Sequence, residues 1–220
     1  CFANPSSVHR EGRNSRKFIE QARTHVASIM NVESDRVIFT SGATEAASQL
    51  LSPKYILEKS KLKLDHFFVS EADHACLFEG GQFSPDQITR VKVDHNGLLD
   101  LKHLEQVMSE RYGAYTQNEI PDKKYLFAIQ TANNETGVLQ QIDMAIKIAK
   151  NFGAYVVVDA VQSAGKLPYD FQELGADFVI ISAHKLGGPN GIGAIIQFND
   201  KLMPQSLIIG GGQEKGIRSG

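Results

Sequence analysis

The chain has 220 residues, of which 42% are apolar and 19 are glycine; this fits a globular fold and excludes a disordered composition. With 23 Lys/Arg against 25 Asp/Glu, the formal charge is −2 and no basic run is long, so nucleic acid is not an expected partner. Apolar stretches are strand-sized, too short to span a membrane, and two cysteines, Cys1 and Cys76, make no disulfide framework and suit a reducing, cytoplasmic setting.

The start at Cys1 shows no leader and reads as the interior of a longer chain. From there, strand-length apolar runs alternate with helix-length amphipathic ones. Phe18, Ile19, Ala22, Val26, Ile29 and Met30 recur at helical spacing. Val37 to Thr40 reads as a short buried strand, broken by Gly42. Ser52-Pro53 predicts a helix start, with Ser52 as cap and Pro53 at the first helical position. Residues 66–69 and 88–93 read as strands, and Asp100 as the cap of a helix with Leu101, Leu104, Val107 and Met108 on its apolar face. The polar stretch 112–124, which contains Pro121, predicts a surface loop. Strands are expected at 125–129, 155–158, 178–181 and 192–198, with a helix over 142–150. Runs apolar on both faces and separated by helices imply one α/β domain over residues 1–220, three-layer αβα around a mainly parallel sheet.

Ligands of such sheets bind beyond the carboxyl ends of the strands, so the polar residues there are the candidates. Ser41-Gly42-Ala43-Thr44-Glu45 follows the first strand. A glycine turn that opens a helix leaves N–H groups free for a phosphate, and Thr44 adds a hydroxyl; the plainer reading is an ordinary helix cap at Thr44. Asp159 ends the run 155–158 and precedes Ala160-Val161-Gln162-Ser163. A buried carboxylate needs a partner, and a protonated ring nitrogen is one; a helix cap or a metal ligand are the alternatives. Lys185 lies in Ser182-Ala183-His184-Lys185-Leu186-Gly187-Gly188-Pro189, just after strand 178–181. Desolvation there favours a neutral amine that can attack an aldehyde, whereas most lysines are solvated surface charges. His74, in Glu71-Ala72-Asp73-His74, suits stacking on a ring or moving a proton, and Asn133-Asn134-Glu135-Thr136-Gly137 offers an amide for a ring hydroxyl. Solvated loop histidines and Asn-rich turns also occur without any ligand. Taken together, a phosphate turn, a histidine, an amide, an aspartate and a lysine supply what pyridoxal phosphate requires.

With Asn4-Pro5-Ser6-Ser7-Val8-His9 near the start and Gly210-Gly211-Gly212-Gln213-Glu214-Lys215-Gly216-Ile217-Arg218-Ser219-Gly220 at the end, these motifs resemble those of cysteine desulfurases. These are class V members of the fold-type-I pyridoxal-phosphate enzymes, and the resemblance runs from Asn4 to Gly220. It implies the large cofactor-binding domain of that fold, incomplete and without its small C-terminal domain. It implies that Lys185 attaches the cofactor, Asp159 pairs with the pyridine nitrogen and His74 stacks on the ring. Asn134 and Gln162 then lie near the phenolic oxygen, while Ala43 (through its backbone), Thr44, Ser182 and His184 hold the phosphate. The implied reaction takes sulfur from L-cysteine as an enzyme persulfide and releases L-alanine. A homodimer, a sulfur-acceptor protein and supply to iron–sulfur clusters or thio-cofactors follow from the same resemblance. Another class V enzyme (a selenocysteine lyase or an aminotransferase) and a non-catalytic fragment are the competing readings. The sulfur-accepting cysteine is expected on a loop beyond Gly220, so the segment by itself is expected to be inactive. Cys76 is read as a packing residue. His9 and Arg13 either approach the site from the opening segment or lie on a solvated surface, and no His/Cys pair has zinc-ligand spacing.

Overall fold

The structure, a computed structural model, describes residues 3–79, 81–112 and 124–220. The segment 113–123, most of the loop expected at 112–124, lies outside the described residues, as does Cys1. A seven-stranded sheet forms the middle layer, in the order β1 (Val37–Thr40), β9 (Gly193–Gln197), β8 (Phe178–Ser182), β7 (Tyr155–Asp159), β6 (Tyr125–Gln130), β4 (His66–Ser70) and β5 (Ile88–Val91). Every strand but β9 runs parallel to β8, while β9 is antiparallel to both its neighbours. The carboxyl ends of β1, β4, β6, β7 and β8 therefore open at one side of the molecule.

Period-two alternation along the central strands sends side chains to two cores. Phe68, Phe127, Ile129, Val156, Val158 and Val179 pack with α4 (Leu101–Tyr112), α5 (Ile142–Asn151) and the end of α1 (Arg10–Met30), through Leu104, Ile146 and Met30. Phe67, Val69, Leu126, Val157, Ile180 and Ile195 face the other way, toward Ala46, Ala47 and Leu50 of α2 (Ala43–Leu50) and Leu77 of α3 (Ala75–Phe78). Each fully buried side chain of this kind contributes roughly 1.5–3 kcal/mol through apolar area removed from water. The expected three-layer order is what is found. Asp100 caps α4 as expected, its Oδ1 accepting the N–H groups of Lys102 and His103, both at 3.0 Å.

The helix expected from Ser52-Pro53 does not form. Residues there make β2 (Lys54–Leu57) and β3 (Ser60–Lys63), a hairpin joined by β10 (Leu202–Pro204) into a separate three-stranded sheet. The local pattern has period two, with Tyr55 buried between exposed Lys54 and Ile56. Glu58 takes a positive φ of 57° at the turn, and the Tyr55 hydroxyl donates to the Leu50 carbonyl across the end of α2. Ser52 Oγ accepts the Lys54 N–H at 3.2 Å, a local turn in place of a helix cap. The helix expected around 18–30 is present and longer, but its apolar stripe is only partly covered. Phe18 is 63% exposed, and the buried positions of α1 are Gly12, Ser15, Ala27 and Met30.

Candidate functional site

A cavity of about 410 Å³ opens where the carboxyl ends of β1, β4, β6, β7 and β8 converge, within the size range of small-ligand sites. Each of these strands delivers polar residues to it. Ser41 to Thr44 come from β1, His74 from β4, Gln130 and Asn134 from β6, Asp159 and Gln162 from β7, and Ser182, His184 and Lys185 from β8. All nine residues expected to bind a cofactor line this one cavity.

At the β1 corner, α2 starts at Ala43 with Gly42 as N-cap, and among the described residues no side chain caps it. Thr44 thus sits inside the first turn, which corrects the reading of it as a cap. The uncapped N–H groups and the helix dipole make this corner electropositive. Tight packing holds it in place. A Cβ on Gly193 would lie 2.6 Å from the Gly42 carbonyl carbon and 2.9 Å from the Ile181 carbonyl oxygen, so only glycine lets β9 pass so close. On the β8 side, Ser182 Oγ and His184 Nδ1 lie 2.9 Å apart and fix one another.

Asp159, at the end of β7, is 6% exposed. Its Oδ1 accepts the Val161 N–H at 2.8 Å, and among the described residues Oδ2 has no hydrogen-bond partner. Burial raises the Asp159 pKa, opposed by the Val161 hydrogen bond and by His74. This carboxylate caps a turn and no helix. Among the described residues, no group of three His, Cys, Asp or Glu side chains is placed to hold a metal.

His74 Nδ1 accepts the Cys76 N–H at 3.1 Å, which assigns the ring proton of the neutral imidazole to Nε2. Its loop is tied to the end of β6. The Ala72 carbonyl accepts Gln130 Nε2 at 2.7 Å and Asn133 Nδ2 at 2.8 Å, while buried Asp73 accepts the N–H groups of Gln130 and Ser70. Burial pushes Asp73 up to about 8, its two N–H bonds pull it down, and the charge of Asp159 adds to the rise. Asn133 Oδ1 also accepts the N–H groups of Glu135 and Thr136, each at 2.9 Å, folding the turn that presents Asn134. Asn134 Nδ2 itself donates to Glu135 Oε1 at 2.7 Å.

For three residues the structure departs from the functional reading and leaves the side chain exposed. Lys185 lines the cavity but is exposed, in a 3-10 turn Ala183–Lys185, so the desolvation expected after a buried strand is not there. His9 does not approach the site; its Nδ1 caps α1 by accepting the Gly12 N–H at 3.1 Å. Arg13 does not line the cavity either and donates to the Val8 carbonyl. Gln130, Asp73 and Asn133 are contributors that motif logic left without a role. Gln130 was detectable as the polar end of an apolar strand. Cys76 also lines the cavity, yet it is buried, and burial followed by the charges of Asp159 and Asp73 pushes its thiol up to about 12.

Residues 1–217 match the family model for aminotransferase class-V, and the chain belongs to that family. Among curated proteins it is similar to the cysteine desulfurase IscS of Dictyoglomus turgidum, 36% identical over 100% of this chain and 52% of that protein. It is similar also to the mitochondrial cysteine desulfurase of Saccharomyces cerevisiae, 34% identical over 100% of this chain and 42% of that protein. Among solved structures, a NifS-like protein from Rickettsia africae superposes with a TM-score of 0.79 and 34% identity, over 98% of this chain and 56% of that one. The chain thus spans about half the length of the curated relatives it matches.

Proposed function

We propose that the intact protein is a pyridoxal-phosphate-dependent cysteine desulfurase, and that the cavity at the strand ends holds its cofactor. The observation that carries this reading is the convergence of three unlike groups on one cavity: an uncapped helix start, a buried Asp159 with Oδ2 unpaired, and the amine of Lys185. A phosphate, a protonated pyridine nitrogen and an aldehyde are the groups these three would satisfy. The relatives named as cysteine desulfurases support the choice of reaction.

In this reading Lys185 Nζ is the covalent anchor. Asp159 Oδ2 holds the proton on the ring nitrogen, and burial in a water-poor pocket strengthens that contact. The N–H groups of Ala43 and Thr44, the Thr44 hydroxyl, Ser182 and His184 bind the phosphate. Asn134 and Gln162 orient the ring near its phenolic oxygen. His74 would contact the ring from the cavity wall and would move protons through Nε2. When bound, pyridoxal phosphate supplies the electron sink for bond changes at the carbons of L-cysteine. A cysteine thiolate of the intact protein would attack the sulfur of L-cysteine, forming an S–S bond as the C–S bond breaks; the electron pair stays with carbon, which takes up a proton and leaves as L-alanine. Cys76 is a poor candidate for that thiolate, because a thiol pushed up to about 12 is protonated at neutral pH. Delivery of the sulfur to an acceptor protein, for iron–sulfur clusters or thio-cofactors, and a homodimeric state complete the proposal.

The test is chemical. Borohydride reduction of the loaded protein followed by peptide mapping is expected to place the pyridoxyl label on Lys185. A label on any other lysine overturns the assignment.

A further inference from the structure

β1 lies at the edge of the seven-stranded sheet, paired among the described strands with β9 alone. Its outer edge would leave backbone groups unpaired, and buried groups of that kind need partners. Side chains supply them at alternate residues. The Val37 carbonyl accepts Arg23 Nη1 at 2.9 Å, the Phe39 N–H donates to Glu214 Oε2 at 2.8 Å, and the Ser41 N–H donates to Glu45 Oε2 at 2.9 Å. Each carboxylate is in turn held by an arginine. Glu214 takes Arg23 at 2.7 Å on both oxygens, and Glu45 takes Arg218 Nε at 2.8 Å and Nη2 at 3.3 Å. The glycine-rich segment that carries Glu214 and Arg218 is thereby fastened at Phe39 and Ser41, directly before the first turn of α2.

Glu45 is the unexpected member. It stands one residue after Thr44, against the corner proposed to bind a phosphate, where a second anion repels the ligand. The Glu45 side chain is 11% exposed and does not line the cavity. Burial opposes its charged form, but the bonds from Arg218 and Ser41 outweigh burial and hold its carboxyl below the usual range. A charge kept there against both desolvation and the ligand's own field must do something for the turn. What it fixes is the Ser41 N–H, at the point where the chain leaves β1 and swings into the uncapped N–H groups of α2. In the same cavity Asp159, more than nine-tenths buried, leaves Oδ2 unpaired, so the corner faces a site built for a ligand.

We propose that Glu45 is a positioning residue for phosphate recognition: bound to Ser41 and Arg218, it holds the first turn of α2 in the geometry that selects phosphorylated over unphosphorylated pyridoxal. This rests on the cofactor reading above. Coulomb's law and positioning predict opposite outcomes for its removal. Without the carboxylate the corner loses a negative charge, which by itself tightens binding of an anion. Loss of the anchor loosens the turn and weakens it.

The experiment is a titration of the intact apoprotein with pyridoxal phosphate and, separately, with pyridoxal, for the wild type, Glu45→Ala and Glu45→Gln. In Glu45→Ala the preference for the phosphorylated ligand (the ratio of the two Kd values) is expected to fall about tenfold, on the order of one charge-assisted hydrogen bond. The Kd for pyridoxal should stay within about twofold, which also shows that the variant is folded. Glu45→Gln keeps an acceptor for Ser41 but loses the charge pairing with Arg218; a fall of about threefold is expected on the same grounds, and it decides the matter if the alanine variant does not fold. A preference that is unchanged or increased, or equal weakening of both ligands, overturns the proposal. A wild-type protein with no preference for phosphate overturns the cofactor reading, and this proposal with it.

Discussion

Asp159 and Lys185 meet different surroundings in the cavity. The carboxylate is enclosed and keeps one oxygen unpaired, whereas the amine is exposed and makes no ion pair among the described residues. Away from the site, His66 carries a cost of its own. It is buried at the start of β4, with Nε2 2.8 Å from Thr89 Oγ1 and its ring edge-on to Phe68 at 5.0 Å. Burial, then the positive charge of Arg111, push His66 down to about 4, against a smaller opposing effect of Asp86. The unfolded chain takes up this proton near pH 6.5, which the folded protein refuses until about 4. The stability His66 contributes is therefore complete above pH 6.5 and is lost as the pH falls toward 4, with a slope of at most about 1.4 kcal/mol per pH unit. Thermal melts of the wild type should show this decline, and His66→Asn should flatten it; parallel curves would show that His66 is not the group responsible.

At the scale of elements, the cavity depends on how closely β9 passes behind the β1 turn. Gly193 leaves no room for even a methyl group against Gly42, and both sides of the contact are backbone, which cannot rotate away. Gly193→Ala is expected to push the turn outward, with a loss of about 1–3 kcal/mol in stability and weaker binding of pyridoxal phosphate. Calorimetry and cofactor titration measure the two effects; normal values of both would mean that the strand shifts freely. The β2–β3 hairpin illustrates a different lesson. Ser52-Pro53 carries a genuine helix-start signal, yet Tyr55 is wanted inside the core beside Phe178, 6.0 Å away between ring centroids, and pairing with β10 gives the backbone another set of partners. Tertiary burial overrode a local propensity worth far less.

For the whole molecule, several large apolar side chains are exposed, three of them on the opening and closing segments. Val8 is 88%, Phe18 63% and Ile209 89% exposed. Their segments are joined by the Arg23–Glu214 pair and by Gln213 Nε2 to Ser6 Oγ at 3.4 Å. Exposed apolar groups on segments tied together in this way offer a candidate association surface, in keeping with the proposed homodimer. Light scattering of the intact protein should give twice the chain mass, and Phe18→Glu with Ile209→Glu should shift it toward the monomer. An unchanged mass in the double variant would remove this face from the interface.

Much of this protein was legible in the order of its residues. Apolar runs buried on both faces, such as Val156-Val157-Val158, permit little besides a central strand, because every second side chain must find a core. Polar residues placed just after such runs, Thr44, His74, Asp159 and Lys185, then fall at one sheet end by the geometry of parallel strands. The sequence by itself therefore determined the layers, the main sheet and most of the polar lining of the cavity. Only the tertiary structure decided what each group experiences there. The burial of Asp73 beside Gln130 and the pairing of Glu45 with Arg218 depend on contacts between segments far apart in the chain. Desolvation and Coulomb energy follow distance through space, and a linear order of residues does not encode that distance.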